Sequence, residues 1–218
     1  TSNTQLEWYL PNDTVTVSPT EYDYKQDATV PYYFNGKTYT VNQAVGSSGT
    51  ETLGFQILKN NNVTLKNGTL TSTTPVVAGK DVKMLIQNYA NLTLTDMNLV
   101  DNTDHILYAL SNNSGTSSIE GATSITTDAV AFDVYDYTAG GYAVPTVNVS
   151  TTGTIAGAIV VSESISNNLN ISAGTFTVEI AEAWCADGFI PKDNGNGTYG
   201  VEPGVFVARV NGKGYTTI

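Results

Sequence analysis

The sequence predicts an all-β fold, a right-handed parallel β-helix of about five coils, and three observations carry that reading. First, five stretches share one pattern, two apolar-polar alternations joined by a small or polar corner: residues 62–70, 91–99, 118–125, 147–155 and 169–176. Second, their closing hydrophobes, Leu70, Leu99, Ile125, Ile155 and Phe176, recur at about 21 to 30 residues, a period at which repeats stack as solenoids. Third, an apolar run precedes most copies: Phe55-Gln56-Ile57-Leu58, Met84-Leu85-Ile86, Ile106-Leu107-Tyr108-Ala109-Leu110, Ala131-Phe132-Asp133-Val134 and Ile159-Val160-Val161. Three short strands per turn, with corners between them, describe a parallel β-helix. The right hand is expected from the crossover rule for parallel strands.

In chain order, residues 1–49 are expected to form an N-terminal cap, a hairpin and a short helix. No coil is recognisable before about residue 33, where Tyr is frequent and Asp13-Thr14-Val15-Thr16-Val17 is the one good strand. A cap is expected because an open solenoid end exposes core and unpaired strand edges. Tyr22, Tyr24, Tyr32 and Tyr33 are expected to cover that end or to contact a preceding module. Phe34-Asn35-Gly36-Lys37-Thr38-Tyr39 reads as a hairpin through Asn-Gly, and Thr40 with Gln43 fits a capping box. Residues 50–178 hold the coils. Copies about 21 residues apart imply tight corners, and those about 29 apart imply a loop. The longest excursion is Tyr135-Asp136-Tyr137-Thr138-Ala139-Gly140-Gly141-Tyr142, in the fourth coil.

Residues 179–218 are expected to close the solenoid and begin a next module. Val178 to Ala186 has helical composition and stops at Asp187-Gly188, a C-cap signal. A hairpin follows through Asp193-Asn194-Gly195-Asn196-Gly197. Val210-Asn211-Gly212-Lys213-Gly214-Tyr215-Thr216 then repeats the earlier Asn-Gly-Lys-x-Tyr-Thr. The segment from Thr1 to Ile218 therefore reads as cut from a larger, modular chain.

Composition narrows the function classes. Apolar residues make up 40%, which suits a solenoid whose coils bury only their inward positions. The formal net charge is −11 with 9 basic residues, and Arg209 is the one arginine, so nucleic acid is not an expected partner. A single cysteine, Cys185, sits among apolar neighbours and reads as a small core residue; with one histidine, His105, it cannot build a soft metal site. No stretch is apolar over a length that spans a membrane.

The closing segment carries a resemblance. Ser172-Ala173-Gly174-Thr175-Phe176, then Trp184-Cys185-Ala186-Asp187-Gly188-Phe189, then Asp193-Asn194-Gly195-Asn196-Gly197-Thr198-Tyr199 is similar to the closing motif of parallel β-helix modules in large surface proteins of gut bacteria. Val207-Ala208-Arg209-Val210 through Ile218 resembles the opening of the next module in that group. Ala173 stands for a Gly of the motif and Phe189 for a Tyr. The resemblance covers about the last 45 residues and, more loosely, the coils. It implies a secreted, extracellular adhesin module on the bacterial cell surface, flanked by further modules of its own chain, and no reaction.

Enzymes on parallel β-helices are mainly polysaccharide lyases and hydrolases. Asn102-Thr103-Asp104 before His105 superficially matches an Asn-Thr-Asp motif of the polygalacturonase-like hydrolases. The nearby Asp pair, Gly-His-Gly and Arg-x-Lys of that family are missing, so the triplet reads as a corner. Asp101 with Asp104 and Asp133 with Asp136 are the close carboxylate pairs of the coils, and neither has the ligand density of a calcium loop. No catalytic residue, metal or cofactor is expected. The Asn-x-Ser/Thr matches (Asn62, Asn67, Asn91, Asn112, Asn148 and Asn170 among them) read as strand and corner residues, and the Thr-x-Thr runs are too irregular for an ice-binding face. The candidate binding residues are Tyr135, Tyr137 and Tyr142 with Asp133 and Asp136, in or beside the longest loop. Aromatic faces stack on sugars and anchor protein interfaces, and carboxylates accept hydrogen bonds from hydroxyls. The expected partner is a host glycan or a host protein such as an immunoglobulin; the competing reading has these tyrosines simply filling an enlarged coil.

Overall fold

The structure, a computed structural model, describes residues 8–9, 14–17, 29–34, 36–41, 53–72, 83–101, 106–210 and 213–216. Its strands are β1 (Trp8–Tyr9), β2 (Thr14–Val17), β3 (Thr29–Tyr33), β4 (Thr38–Val41), β5 (Leu53–Ile57), β6 (Asn62–Ser72), β7 (Met84–Asn88), β8 (Asn91–Asp101) and β9 (Tyr108–Asn112). They continue with β10 (Thr116–Glu120), β11 (Ser124–Val134), β12 (Thr146–Val161), β13 (Leu169–Phe176), β14 (Phe189–Asp193), β15 (Tyr199–Pro203), β16 (Ala208–Val210) and β17 (Lys213–Tyr215). Parallel pairing stacks them into a β-solenoid of about four turns, the distance from the first to the last of the five sequence copies.

Three sides follow from the register. β1, β3, the starts of β6, β8 and β12, all of β10 and the start of β13 make one side. β2, β4, the ends of β6, β8 and β13, the start of β11 and the middle of β12 make the second. The third holds β5, β7, β9 and the ends of β11 and β12. Each side puts at least one column of apolar side chains into the core. They are Leu65, Leu94, Ile119, Val149 and Ile171 on the first side and Leu70, Leu99, Ile125, Ile155 and Phe176 on the second. On the third, Phe55, Ile86, Leu110 and Phe132 continue to the half-buried Ile159. Burying each such side chain stabilises the stack by about 1.5–3 kcal/mol, and the next coil supplies the cover.

Corners are set by residues that tolerate them. β6 and β8 bend from the first side to the second at Asn67 (φ 57°) and Asp96 (φ 55°), a left-handed geometry that Asn and Asp adopt with little cost. The Asp96 carboxylate then accepts the Ala122 N–H of the next coil at 2.8 Å, tying one corner to its neighbour. Asparagine ladders do the same between coils: Asn91 Nδ2 donates to Asn62 Oδ1 (2.9 Å) and Asn170 Nδ2 to Asn148 Oδ1 (3.1 Å). Those four Asn-x-Thr/Ser positions thus have structural roles.

The ends differ from expectation. The segment expected as an Asn-Gly hairpin does not close one: β3 and β4 lie on different sides, each paired in parallel with β6, and Gly36 lies at the corner between them. Stacking on β6 satisfies both strands at once and buries Phe34, Tyr39 and Val41. Parallel rungs therefore reach back before residue 50, into the segment expected as a cap. Thr40 sits in β4, and the remainder of the expected short helix, like Tyr22, Tyr24 and residues 102–105 with His105, lies outside the described residues. At the far end the expected capping helix is a single 3-10 turn, Glu182–Trp184. The reason is the open edge of β13: Cys185 bridges Ile171 in parallel, and the Ala186 N–H donates to the Ile171 carbonyl at 2.9 Å. Trp184 and Cys185 pack on the core from there. The expected hairpin is present as β14 and β15, and Tyr199 pairs antiparallel with Phe176, ending the parallel stack. β16 and β17 form a second antiparallel pair, which the Arg209 guanidinium ties to the Glu182 carboxylate of the closing turn (2.7 Å for Nη1 to Oε2). Among the described residues no helix is long and apolar enough to cross a membrane.

Candidate functional site

The site grows from one corner of the coil, between the third side and the first. Successive coils turn it at residues 58–61, 89–90, 113–115, 135–145 and 162–168. The turns are in register: the N–H groups of Tyr89, Asn113, Tyr135 and Ser162 each donate at 2.9 Å to the last strand carbonyl one coil below, those of Ile57, Asn88, Asn112 and Val134. Buried Asn88 shapes the corner from inside, its Oδ1 accepting the Ala90 N–H (3.0 Å) and its Nδ2 donating to the Ala90 carbonyl (2.8 Å). Lys59, Tyr89 and the long fourth turn are thereby stacked along one flank, although far apart in sequence.

The fourth turn is held rigidly. Asp136 Oδ1 accepts from the Thr138 hydroxyl (2.6 Å) and N–H (3.1 Å), and Oδ2 accepts from the Ser164 hydroxyl (2.8 Å). The Asp136 N–H donates to Ser162 Oγ at 3.0 Å, so the loop is anchored on the next coil. The 3-10 turn Thr138–Gly140 closes it, with the Gly140 N–H donating to the Tyr137 carbonyl at 2.9 Å. A Cβ at Gly140 would lie 2.6 Å from Tyr137 Cε1, so the ring rests directly on the glycine. Hydrogen bonds from Thr138 above all, and from Ser164, hold the Asp136 carboxyl below the usual carboxylate range.

Folding the loop back brings four tyrosines together. Tyr137 and Tyr142 are stacked, with centroids 5.4 Å apart and planes 22° apart. Tyr89 tilts against both, at 4.7 Å from Tyr142 and 6.0 Å from Tyr137, and Tyr135 lies 6.1 Å from Tyr137. Burial, with the Tyr137 and Tyr142 phenols beside it, pushes the Tyr89 hydroxyl up to about 12, so it stays protonated and able to donate. Two hollows flank this array and share Tyr89 as a wall. One, about 390 Å³, is lined by Met84, Gln87, Tyr108, Asp133, Tyr135 and Tyr137, together with Ser111 and Asn113. The other, about 280 Å³, is lined by Lys59, Asn61, Asn91, Gly115 and Tyr142 among others. Both are near the size of small-ligand sites.

The floor of the larger hollow is polar and buried. Asp133 is 6% exposed; its Oδ1 accepts the Asn112 N–H (2.7 Å) and its Oδ2 the Ser111 hydroxyl (3.0 Å). Burial outweighs those donors and pushes the carboxyl up to about 7. Gln87 and Asn113 beside it are also buried, with Gln87 Oε1 accepting from Gln56 Nε2 at 3.0 Å. A ring-shaped polyol laid on Tyr137 would meet a carboxyl, two amides and a hydroxyl at the floor. Groups of these kinds can donate to and accept from hydroxyls.

Of the five residues that the sequence points to, Tyr135, Tyr137 and Asp133 line the larger hollow and Tyr142 the smaller. Asp136 lines neither hollow; its carboxylate is engaged by the loop's own turn. Tyr89, Tyr108 and Lys59 are further members that sequence reading passes over. The signal for Tyr89 is the coil register, which sets it two coils below Tyr135 at the equivalent position, with Asn113 between them. Cys185 is distant from this flank in sequence and contacts, and burial with the Glu182 carboxylate nearby pushes its thiol up to about 11, which leaves it unreactive. Among the described residues no group of three or more His, Cys, Asp and Glu side chains could hold a metal ion.

The fold makes this chain a β-solenoid repeat protein. No family model matches it, and neither the curated proteins nor the solved structures contain a match.

Proposed function

We propose that this chain is a non-catalytic adhesive module of a secreted bacterial cell-surface protein, and that it binds a glycan at the tyrosine-lined corner. The observation that carries the reading is the array of Tyr89, Tyr135, Tyr137 and Tyr142 folded over a buried polar floor where a long turn interrupts the repeat. Rigid scaffolds present binding residues on such loops, and stacked aromatic faces with adjacent carboxyl and amide groups suit sugar rings. Binding without turnover is supported by the larger hollow's lining, which offers one carboxyl group, Asp133, where glycoside hydrolysis uses a pair. The surface location is supported by the acidic, cation-poor composition and by the closing-segment motif described above.

The test is an array of immobilised host and bacterial glycans that also carries immunoglobulin. Retention on glycans is expected, and Tyr137→Ala with Tyr142→Ala should lower it about tenfold, since aromatic stacking contributes about 0.5–1.5 kcal/mol per contact. Circular dichroism should be unchanged. Retention on the protein spots alone would move the assignment to a host-protein binder, and no retention at all would reduce the module to a spacer.

A further inference from the structure

We infer that the glycan bound at this corner is acidic: a carboxylated sugar unit seated against Lys59 in the smaller hollow, next to a neutral ring stacked in the larger one. This rests on the glycan-binding reading above and names the ligand class it takes. The two hollows share Tyr89 as a wall, so a ligand stacked on Tyr137 and long enough to pass that ring would reach the Lys59 side. Among the described residues, the lining of the smaller hollow contains Lys59, Asn60, Asn61 and Asn91, and no Asp or Glu. In a chain with 20 acidic and 9 basic residues, that is a local reversal of charge.

Lys59 is exposed, and among the described residues no carboxylate lies within ion-pair distance of it. Its charge contact is the face of Tyr142, with Nζ 5.8 Å from the ring centroid. An aromatic face steers an ammonium group without neutralising it, so the nitrogen keeps donors for an anion. The position is also fixed from below. Lys59 precedes Asn60, which is held left-handed at φ 69°, and the Asn61 side chain donates to the Leu58 carbonyl at 2.8 Å, closing the turn. Asp133 in the adjoining hollow does not oppose an anion strongly, because burial holds its carboxyl largely protonated below neutral pH. Uronic and sialic acids both present the required carboxylate on a pyranose ring.

Titration calorimetry on the full chain separates the sources, with 3′-sialyllactose and trigalacturonic acid as carboxylated probes and lactose and maltotriose as neutral ones. One carboxylated probe should bind about fivefold or more tightly than the neutral probes, the scale of one partly exposed ion pair. Lys59→Met should bring that preference to within about twofold, and salt should weaken the carboxylated probe selectively. Lys59→Arg should restore the preference and so separates charge from folding. Equal affinity for neutral and carboxylated probes, unaffected by Lys59→Met, would overturn this inference and leave the glycan-binding reading standing. Failure of all four probes to bind would overturn both.

Discussion

Asp133 shows how one residue can be legible in sequence while its state is not. It alternates with Phe132 and Val134, which points it away from the core, yet neighbouring side chains bury it and push its carboxyl from an ordinary 3.8 to about 7. A carboxyl with a raised folded-state value favours the protonated fold. Its contribution to stability is therefore complete below about pH 4 and is lost as pH rises through about 7. The shift of roughly three units corresponds to a change on the order of 4 kcal/mol. Asp133→Asn keeps an acceptor for the Asn112 N–H and removes the titration. Urea unfolding at about pH 5 and about pH 8 should show wild type losing stability at the higher pH and the variant losing much less. Equal losses in the two proteins would mean that Asp133 is not the group responsible.

At the scale of the elements, the corner is the unit that decides both fold and site. The first-to-second-side corners depend on close approach between coils. Thr151 Oγ1 donates to the Thr123 carbonyl at 2.5 Å and accepts the Gly153 N–H at 2.9 Å. A Cβ on Gly153 would stand 2.2 Å from the Thr123 oxygen, which belongs to backbone and cannot turn aside. Gly153→Ala should thus destabilise the stack by about 2 kcal/mol, measured as a lower urea midpoint at unchanged slope. An unchanged midpoint would show that these corners are looser than drawn. The strands with alternating apolar and polar residues were readable because their inward positions recur coil after coil, as Leu70, Leu99, Ile125 and Ile155 do. β3 and β4 were not: Pro31 and a run of tyrosines break the alternation, and Tyr39 takes the place that Leu70 and Leu99 fill in later coils. The closing turn was misread as a helix because its composition is helical, while the unpaired edge of β13 supplies a better partner for its backbone.

For the whole molecule, the repeat is scaffold and the interruption is where binding is proposed. Tyr135, Tyr137 and Tyr142 could be picked out because they are neighbours in one long turn. Tyr89 and Lys59 could not, since only the stacking register brings them to the same flank. The coils should therefore stand without the long turn, and the turn should carry the binding. Replacing residues 135–145 with a two-residue corner like the one at 89–90 tests both in a single protein. The account predicts a strand-rich circular dichroism spectrum and a cooperative thermal transition close to wild type, together with loss of retention on the glycan array. A shortened protein that unfolds, or one that folds and still binds the same glycans, would contradict it.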